Sequence, residues 1–560
     1  MTALRQVRLG VALATGALVT ACAGVPDSGG IHLGAPVADA GQSRPGGVVY
    51  EVPALPAPGA TPIELVGGFL RAMVDSDNGY AVARSYLGPG VSWSANTRIT
   101  VYRDPPLIRR IDAQHVRVRA HETGVILADG SYRVASGRLT RTFAVSHRGG
   151  EWRITGLAPG ALLSTDDVEQ VLQPASVYFL TPDGERVVPE PLLEPPDEPG
   201  LATTLIRALL AGPNALLAPG VRTAAPHGTS LVGNVPISAD GVADVDLSAG
   251  VRQIAPADLV RLSAQIVWTL RQIPSVTAVR LLATGASLST SQAPSLQPIR
   301  SWPQFDPSAP PATPGALVAH DGAVSGLGAV VPEALRARGL SDPARSADGT
   351  LVAALRHHGR QLVTGDAAGP LLPRLRSASL TAPCFLPDGQ ALVGTAAGAV
   401  YAVTGNGTVR SVHLPASLAG LPIRALAASR DGTRLALVVG AASPELQVAT
   451  LARRHARETV TEPRVVLPAS SDAAGVAWAS ADQLVTTTVG AANAGRRVVE
   501  VSVDGYTVVD LSAPGLPADV HSVAAAPGRP VLASGAAGTW RLSGPRWVKV
   551  SAAVSPSYAG

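Results

Sequence analysis

The sequence predicts a multidomain protein in which an α+β module, an α/β module and an all-β propeller follow one another. Three patterns predict it: helical spacing that gives way to alternation near residue 99, strands and helices in turn from residue 176, and a turn that recurs through the C-terminal part. The 560 residues are too many for one core and enough for about three to four domains. Hydrophobic residues at 46% and charged residues at 15% are typical of folded globular proteins.

The N-terminus carries the pattern of an export signal that ends in Cys22. Two arginines precede an apolar run over residues 9–19, about half the ~20 residues that a membrane-spanning helix needs. Residues 18–22, Leu-Val-Thr-Ala-Cys, look like a bacterial lipobox, in which the cysteine becomes the new N-terminus and carries acyl chains. We predict a lipoprotein signal peptide over residues 1–21 and an N-palmitoyl, S-diacylglycerol cysteine at Cys22. A plain signal peptide with a chance cysteine is the alternative.

A tether and then a helix are predicted after the signal. Residues 22–60 are rich in Gly, Pro, Ala and Ser without a helical period, which predicts a flexible tether. Thr61 and Glu64 form a capping-box pattern with Pro62 at the first helical position. Apolar residues then recur on one helical face, namely Ile63, Val66, Phe69, Leu70 and Met73. A shorter helix is predicted around residues 80–87.

Alternating apolar residues predict short strands between residues 99 and 154. Asp129-Gly130 and Gly149-Gly150 lie where hairpin turns are needed. The strand pairs are Ile99 and Val101, Val116 and Val118, Val125 and Leu127, Tyr132 and Val134, Phe143 and Val145, and Trp152 and Ile154. Two helices and a curled sheet give an α+β module over residues 61–160 that resembles folds related to nuclear transport factor two. Such a cone has a pocket, but no convergent acid, histidine and arginine set makes it catalytic.

The second module, residues 176–290, is predicted to be α/β. Its elements are a strand at 177–180, a helix at 201–210, a strand pair near 231–235 and 242–247, a helix at 256–273 and a strand at 276–282. Five sequence blocks in order resemble a GerMN domain: Ala211 to Pro213, Pro226 to Leu231, Val242 to Ser248, Gln265 to Leu270 and Val276 to Val279. That domain occurs in spore-germination and envelope proteins and is not an established enzyme.

A repeated turn predicts a propeller over residues 315–560, after a proline-rich linker. The repeats are Ser346 to Gly349, Leu386 to Gly389, Ser429 to Gly432, Ser480 to Gln483 and Ala525 to Gly528, at intervals of 40, 43, 51 and 45 residues. A period of this size with strands in each unit is typical of propeller blades. Five blades are legible, and residues 317–327 add a sixth or close the ring. Unrelated turns in an ordinary sandwich are the alternative.

Composition and motifs exclude several function classes. Lys549 is the only lysine, so a phosphate loop is absent, and no Gly-x-Ser-x-Gly elbow occurs. The net charge of +4, scattered basic residues and 4% aromatic content do not indicate a nucleic-acid binder. We predict no catalytic, cofactor-binding or metal-binding residues, and therefore no enzyme and no cofactor.

Three polar groups are candidates for a metal-binding or catalytic site. His357-His358 on a strand would point to opposite faces and could not share one metal. Residues 75–79 are similar to half a calcium loop but lack the later ligands, which favours a solvated loop. Asp244 and Asp246 share one strand face, yet no further carboxylate is set against them for glycoside hydrolysis, which favours a structural role.

The remaining polar or aromatic candidates have structural interpretations. Asp166-Asp167 and Asp197-Glu198 are predicted to lie in loops and are most simply solvated charges. Trp268 is predicted to be in the core. If Cys22 is acylated, Cys384 has no partner for an intramolecular disulfide, and we predict a buried structural thiol.

The order of lipobox, tether, α+β module, GerMN module and propeller resembles the actinobacterial lipoprotein LpqB family. Residues 26–29 (Pro-Asp-Ser-Gly), 178–180 (Tyr-Phe-Leu) and 187–189 (Val-Val-Pro) agree with it, whereas Asp482-Gln483 and Pro527-Gly528 depart from the repeated Asp-Gly turn. The resemblance implies a non-enzymatic lipoprotein, lipid-anchored on the extracytoplasmic face of the cell membrane. It also implies a link to the extracytoplasmic domain of a sensor histidine kinase of the MtrB type, and hence to cell-envelope homeostasis.

Two other functions remain open from the sequence. A propeller hydrolase of wall glycan would need acids or histidines clustered at the central opening, and the blade starts show mainly Ala, Ser and Arg. A binding module would instead recognise a muropeptide, a sugar or another cell-wall polymer in the propeller funnel.

Overall fold

The predicted multidomain fold class is confirmed by a computed structural model, which describes residues 53–196, 198–454, 457–490 and 495–560. Residues 53–560 form one compact unit that contains all three modules. Cys22 and most of the predicted tether lie outside the described residues. Where the tether reaches the first module, the Tyr86 hydroxyl donates to the Ala54 carbonyl at 2.7 Å.

The N-terminal module begins with α1 (Pro62–Ala72) and α2 (Asp77–Ser85). The predicted capping box is present, because Glu64 N donates to Thr61 Oγ1 at 3.3 Å and Thr61 N donates to the Glu64 carboxylate at 2.8 Å. The predicted apolar stripe is buried except at Ile63, which is 43% exposed. Leu65, one turn before Phe69, is buried in the core instead of Ile63.

A five-stranded sheet completes this module, in the order β4-β3-β2-β1-β5. Its elements are β1 (Arg98–Arg110), β2 (His115–Leu127), β3 (Tyr132–Arg148), β4 (Glu151–Gly156), β5 (Ala161–Ser164) and α3 (Thr165–Val171). The predicted short strands at 116–118 and 125–127 are both parts of β2, since the sheet continues through a bulge near Glu122. Turns at Asp129-Gly130 and Gly149-Gly150 are confirmed.

One loop prediction in this module is wrong. Asp166 and Asp167 lie in the first turn of α3, where Asp167 N donates to Ser164 Oγ at 3.0 Å in a second capping box. Acids suit the start of α3 because they satisfy or attract its free N–H groups. The loop predicted at residues 75–79 holds in its backbone geometry, because α2 is assigned from Asp77 but Asn78, Gly79 and Tyr80 all have positive φ.

The second module combines a hairpin with a small mixed sheet. Its elements are β6 (Gln173–Leu180), β7 (Val187–Glu194), α4 (Glu198–Ala211), β8 (Val242–Leu247), α5 (Pro256–Leu270), β9 (Ala278–Ala283), β10 (Ala286–Ser287) and β11 (Leu296–Pro298). Strands β8 and β9 pair in parallel, with α5 as the crossover. The strand predicted at 231–235 is reduced to an isolated bridge between Leu231 and Leu247, because Gly233 has φ +76° and Pro236 has no N–H.

Within the described residues of the C-terminal module, six sheets form the propeller. Its strands are β12 (Ala316–His320), β13 (Ala323–Leu327), β14 (Ser341–Arg345), β15 (Leu351–Arg356), β16 (Gln361–Asp366), β17 (Leu372–Arg376), β18 (Cys384–Phe385), β19 (Ala391–Gly394), β20 (Val400–Val403), β21 (Val409–Val412), β22 (Ile423–Ala428), β23 (Arg434–Val439), β24 (Glu445–Arg454), β25 (Arg457–Val460), β26 (Arg464–Leu467), β27 (Ala474–Trp478), β28 (Gln483–Val489), β29 (Arg496–Ser502), β30 (Val508–Asp510), β31 (Ser522–Ala524), β32 (Leu532–Gly535), β33 (Gly538–Ser543), β34 (Arg546–Ser551) and β35 (Val554–Ser557). Strands β12 and β13 share their sheet with β35, so the last strand closes the ring beside the first.

The five repeated turns each connect the first and second strands of a blade. In the third repeat Ser429 Oγ donates to Asp431 at 2.7 Å, and Ser480 Oγ donates to Asp482 at the same distance in the fourth. The turn therefore survives where Gln483 replaces the usual glycine. His357 and His358 are not on a strand: they form the turn between β15 and β16, with φ of 52° and 58°.

Candidate ligand channel and module junction

A channel runs through the centre of the propeller and holds a cavity of about 330 Å³. The inner strands of the blades line it, including β14, β22, β27, β31 and β35. Much of the wall is alanine and backbone, as the alanine-rich blade starts in the sequence predict. Its volume lies at the lower end of the range for small-ligand sites, about 300–1,000 Å³.

Irregular pairing at the start of four inner strands shapes one end of this channel. Register shifts leave Asp342, Arg424, Gly475 and Ser555 out of regular pairing, and all four line the cavity. A bulged residue loses its ladder partner and is turned away from the sheet. The channel mouth, defined by these four residues and the neighbouring His521, therefore carries a carboxylate, an imidazole and a hydroxyl, together with Arg424, whose guanidinium donates to the Gly440 and Ala441 carbonyls. The sequence repeats place the blades but give no sign of the bulges.

The opposite end of the channel faces the other two modules and is occupied by residues 558–560. Arg430 Nη1 donates to the Ala559 carbonyl at 2.7 Å, and Gly560 N donates to the Arg345 carbonyl at 3.0 Å. Arg186 of the second module donates to the Arg430 carbonyl at 2.9 Å. A ligand would therefore enter at the channel mouth.

Cys384 lies in the channel wall, half-buried, and burial raises the pKa of its thiol to about 12. A thiol with so high a pKa holds its proton at neutral pH, and the thiolate is the reactive form. Cys384 therefore serves the wall as a small apolar residue, which agrees with the predicted structural role.

A buried charged cluster joins the second module to the propeller. Arg434, 4% exposed, donates to the Pro189 carbonyl and to the Ala481 carbonyl. Burial lowers the pKa of Arg434, while Asp431 and Glu190 act against that shift by attraction. No sequence pattern indicates this cluster, because its members come from distant parts of the chain.

Glu190 is the acid of this junction that titrates near neutrality. Burial raises its pKa from 4.5 to about 7, against the opposing effect of Asn214 N–H donation to its carboxylate. The unfolded chain loses this proton near pH 4.5 and the folded chain near pH 7, so the contribution to stability is complete below pH 4.5 and is lost as the pH rises through 7. That difference corresponds to roughly 3 kcal/mol.

We expect Glu190→Gln to flatten the pH dependence of stability. Between pH 5 and pH 8 the denaturation midpoint of the natural chain should fall more than that of the variant, because glutamine cannot ionise. Some dependence should remain, since burial raises the pKa of Glu194 to about 7 as well. Differential scanning fluorimetry measures the midpoints, with Glu185→Gln on the exposed turn as control. Equal pH dependence in the natural chain and Glu190→Gln would refute the assignment.

The pocket of the first module is almost filled. Phe69 and Trp93 rings lie 5.2 Å apart, and Trp93 also meets Tyr80 at 5.4 Å, so aromatic side chains pack the interior of the cone. The cavity beside Phe143 is about 10 Å³, which holds at most a single water. Nothing larger is expected to bind there.

The other candidate residues from the sequence have structural partners. Asp244 pairs with Arg280 at 3.2 Å, and Asp246 accepts from Gly285 N at 2.9 Å. Trp268 is buried, as predicted, with its indole N–H donating to the Trp302 carbonyl at 3.2 Å. Among the residues that the structure describes, no three His, Cys, Asp or Glu side chains group as metal ligands. No helix in the same part of the chain is long and apolar enough to cross a membrane.

Comparisons with known proteins match all three modules. The family models are "Lipoprotein LpqB, N-terminal domain" over residues 55–169, "Sporulation and spore germination" over 176–289 and "Lipoprotein LpqB beta-propeller domain" over 315–559. A solved structure, the first GerMN domain of the sporulation protein GerM from Bacillus subtilis, is 25% identical with a TM-score of 0.18, covering 22% of this chain and 97% of that one.

Curated relatives extend over nearly the full length. Lipoprotein LpqB from Rhodococcus jostii (strain RHA1) is 30% identical, covering 93% of this chain and 90% of that protein. Lipoprotein LpqB from Mycobacterium bovis (strain BCG / Pasteur 1173P2) is 28% identical and covers 99% of both chains. The predicted family is confirmed: this chain belongs to the lipoprotein LpqB family.

Proposed function

We propose that this chain is an extracytoplasmic lipoprotein, anchored in the cell membrane through Cys22, that modulates a two-component sensor kinase and cell-envelope homeostasis through protein binding. The observation that carries the proposal is the joining of three modules into one compact unit with no grouped metal ligands among its described residues. A compact protein of this kind can offer binding surfaces to a partner protein. A lipid anchor would hold those surfaces at high effective concentration beside a membrane receptor, so even weak contacts would be occupied.

Reconstitution tests this proposal directly. The full lipidated chain and a sensor kinase of the MtrB type would be placed in the same vesicles, and autophosphorylation of the kinase would be followed. We expect a several-fold change in rate relative to vesicles that hold an unrelated lipoprotein at equal density. An unchanged rate, together with no crosslink between the two proteins in intact cells, would contradict the proposal.

The channel favours a second candidate function, recognition of a muropeptide or sugar from the cell wall. One cavity of ligand size is lined by a carboxylate, an imidazole and a hydroxyl, those of Asp342, His521 and Ser555. Titration calorimetry of the full chain with purified muropeptides would measure saturable heat at the channel. Mass spectrometry of the same mixture separates a binder, which leaves the fragments intact, from the alternative wall-glycan hydrolase, which shortens them. Absence of saturable heat contradicts binding.

A further inference from the structure

A groove of about 1,470 Å³ lies between the N-terminal module and the propeller. We define this interdomain groove by Tyr102, Glu122 and Glu169 on one side and by Tyr506 and Val508 of the propeller on the other. Its volume exceeds the usual 300–1,000 Å³ of small-molecule sites. A second cavity of about 210 Å³ adjoins it, because both are lined by Tyr506. The size favours a segment of a polymer over a small ligand.

The groove wall is acidic. Asp104, Glu122, Asp166 and Glu169 line it, against a single arginine, Arg103, and a histidine. The adjoining cavity also holds Asp482 and Asp504, but these two acids lie beside the buried Arg434 and Arg464, so the acids of the groove itself carry the argument. An excess of one sign of charge in a cleft selects a partner of the opposite sign and speeds its approach. The occupant is therefore expected to carry positive charges.

Tyrosines supply polar and aromatic contacts along the groove. Tyr102 is only 6% exposed, yet among the described residues its hydroxyl has no hydrogen-bond partner. A hydroxyl without a protein partner at a cavity wall can donate a hydrogen bond to a ligand atom. Tyr132 and Tyr506 meet edge to face at 5.3 Å across the two modules. Tyrosine faces also accept guanidinium groups.

A strand edge begins in the same groove. β30 is the outer strand of its blade, and its first residue, Val508, lines the groove. Val508 and Val509 are 50% and 48% exposed. An outer strand offers unpaired N–H and C=O groups to an extended segment, which adds as one more strand. This favours a polypeptide as the polymer.

We propose that the interdomain groove binds an extended polypeptide segment that carries arginine or lysine side chains. The acidic wall receives the cations, the Tyr102 hydroxyl receives a polar group, and β30 pairs with the backbone of the segment. This goes beyond the proposed regulation of a kinase, since it assigns a surface and a ligand chemistry and holds for any basic segment.

Fluorescence anisotropy with the full chain in a neutral detergent tests the proposal. The probe is a labelled peptide of six Arg-Thr repeats, and six Glu-Thr repeats serve as the acidic counterpart. We expect saturable binding of the basic peptide only, weakened at least tenfold by Asp166→Asn with Glu169→Gln. Both side chains are exposed, so the variant should fold. Tyr102→Phe, which removes one hydroxyl, should weaken binding about threefold.

The matched control is Asp240→Asn with Glu333→Gln, which makes the same charge change at exposed residues outside the groove. This variant should bind the basic peptide as the natural chain does. Equal weakening in both double variants would show a general charge effect and overturn the proposal, as would absence of saturable binding. Peptide addition to β30 should also slow amide hydrogen exchange at residues 508–510, and unchanged exchange there would overturn the strand pairing.

Discussion

Replacing Arg434 by alanine is expected to lower the free energy of unfolding by about 3–5 kcal/mol, a typical cost of removing one partner from a buried charge cluster. Arg434 is almost fully buried and donates to the Pro189 carbonyl of the second module. Among the described residues, Asp431 Oδ2 is buried without a hydrogen-bond partner. The charge of Arg434 therefore stabilises this carboxylate, and its removal takes that attraction away. The acids nearby would then lose one buried cation and keep another, Arg464. Urea denaturation followed by tryptophan fluorescence measures the loss.

Two further variants serve as references for the loss in Arg434→Ala. Arg497→Ala removes an exposed arginine from the same domain, where it pairs with Asp510 at 3.1 Å, and should cost less than about 1 kcal/mol. The double variant Arg434→Met with Glu190→Gln should lose less free energy of unfolding than the sum of the losses in Arg434→Met and Glu190→Gln alone. The reason is that the second change removes an acid that the first deprives of one buried cation. Equal losses in Arg434→Ala and Arg497→Ala would show that the cluster does not stabilise the junction.

The second large effect is expected at Cys22, which lies outside the described residues. Cys22→Ser should move nearly all of the chain from the membrane fraction to the soluble fraction, because serine cannot take the thioether-linked lipid. One acyl chain holds a protein only marginally, and each buried methylene adds about 0.8 kcal/mol. Ultracentrifugation of cell lysates with quantitative immunoblotting measures the redistribution. The denaturation midpoint should stay unchanged, since the folded modules keep their contacts.

Cys384→Ser is the matched control for this experiment. It changes the other cysteine of the chain, which lines the propeller channel, and should leave the protein in the membrane fraction. Retention of Cys22→Ser in the membrane would refute lipid anchoring at that residue. If the kinase proposal holds, the released variant should also lose its effect on autophosphorylation at equal bulk concentration.

Much of the fold could be predicted because its signals are local. A turn such as Ser429 to Gly432 is held by hydrogen bonds within five residues, so its sequence repeats wherever a blade needs it. The start of α1 is equally local, since Thr61 and Glu64 satisfy each other. The five sequence blocks that resemble a GerMN domain also predicted the order of elements in the second module.

What the sequence did not predict depends on contacts between distant residues. The parallel pairing of β5 with β1 gives no periodic signal, and four residues are too few for one. The bulges at Asp342 and Ser555 are set by neighbouring strands and leave no motif. Arg434 and Pro189 are far apart in the chain, so no pattern links them. The candidate channel was therefore predictable as a funnel, but its mouth and its closed end were not.

The closure of the ring has a consequence for the order in which the protein matures. β12 pairs with β35, so residues 316–320 keep an open edge until residues 554–557 have been made. The pairing of these two strands joins parts of the chain that are far apart in sequence, and such contacts form slowly. Until then, the unpaired edge of β12 can pair with another chain. A chain that emerges N-terminus first can fold its first two modules early but can complete the propeller only at the last step. Premature termination anywhere before residue 554 therefore removes the closed ring, not merely one blade.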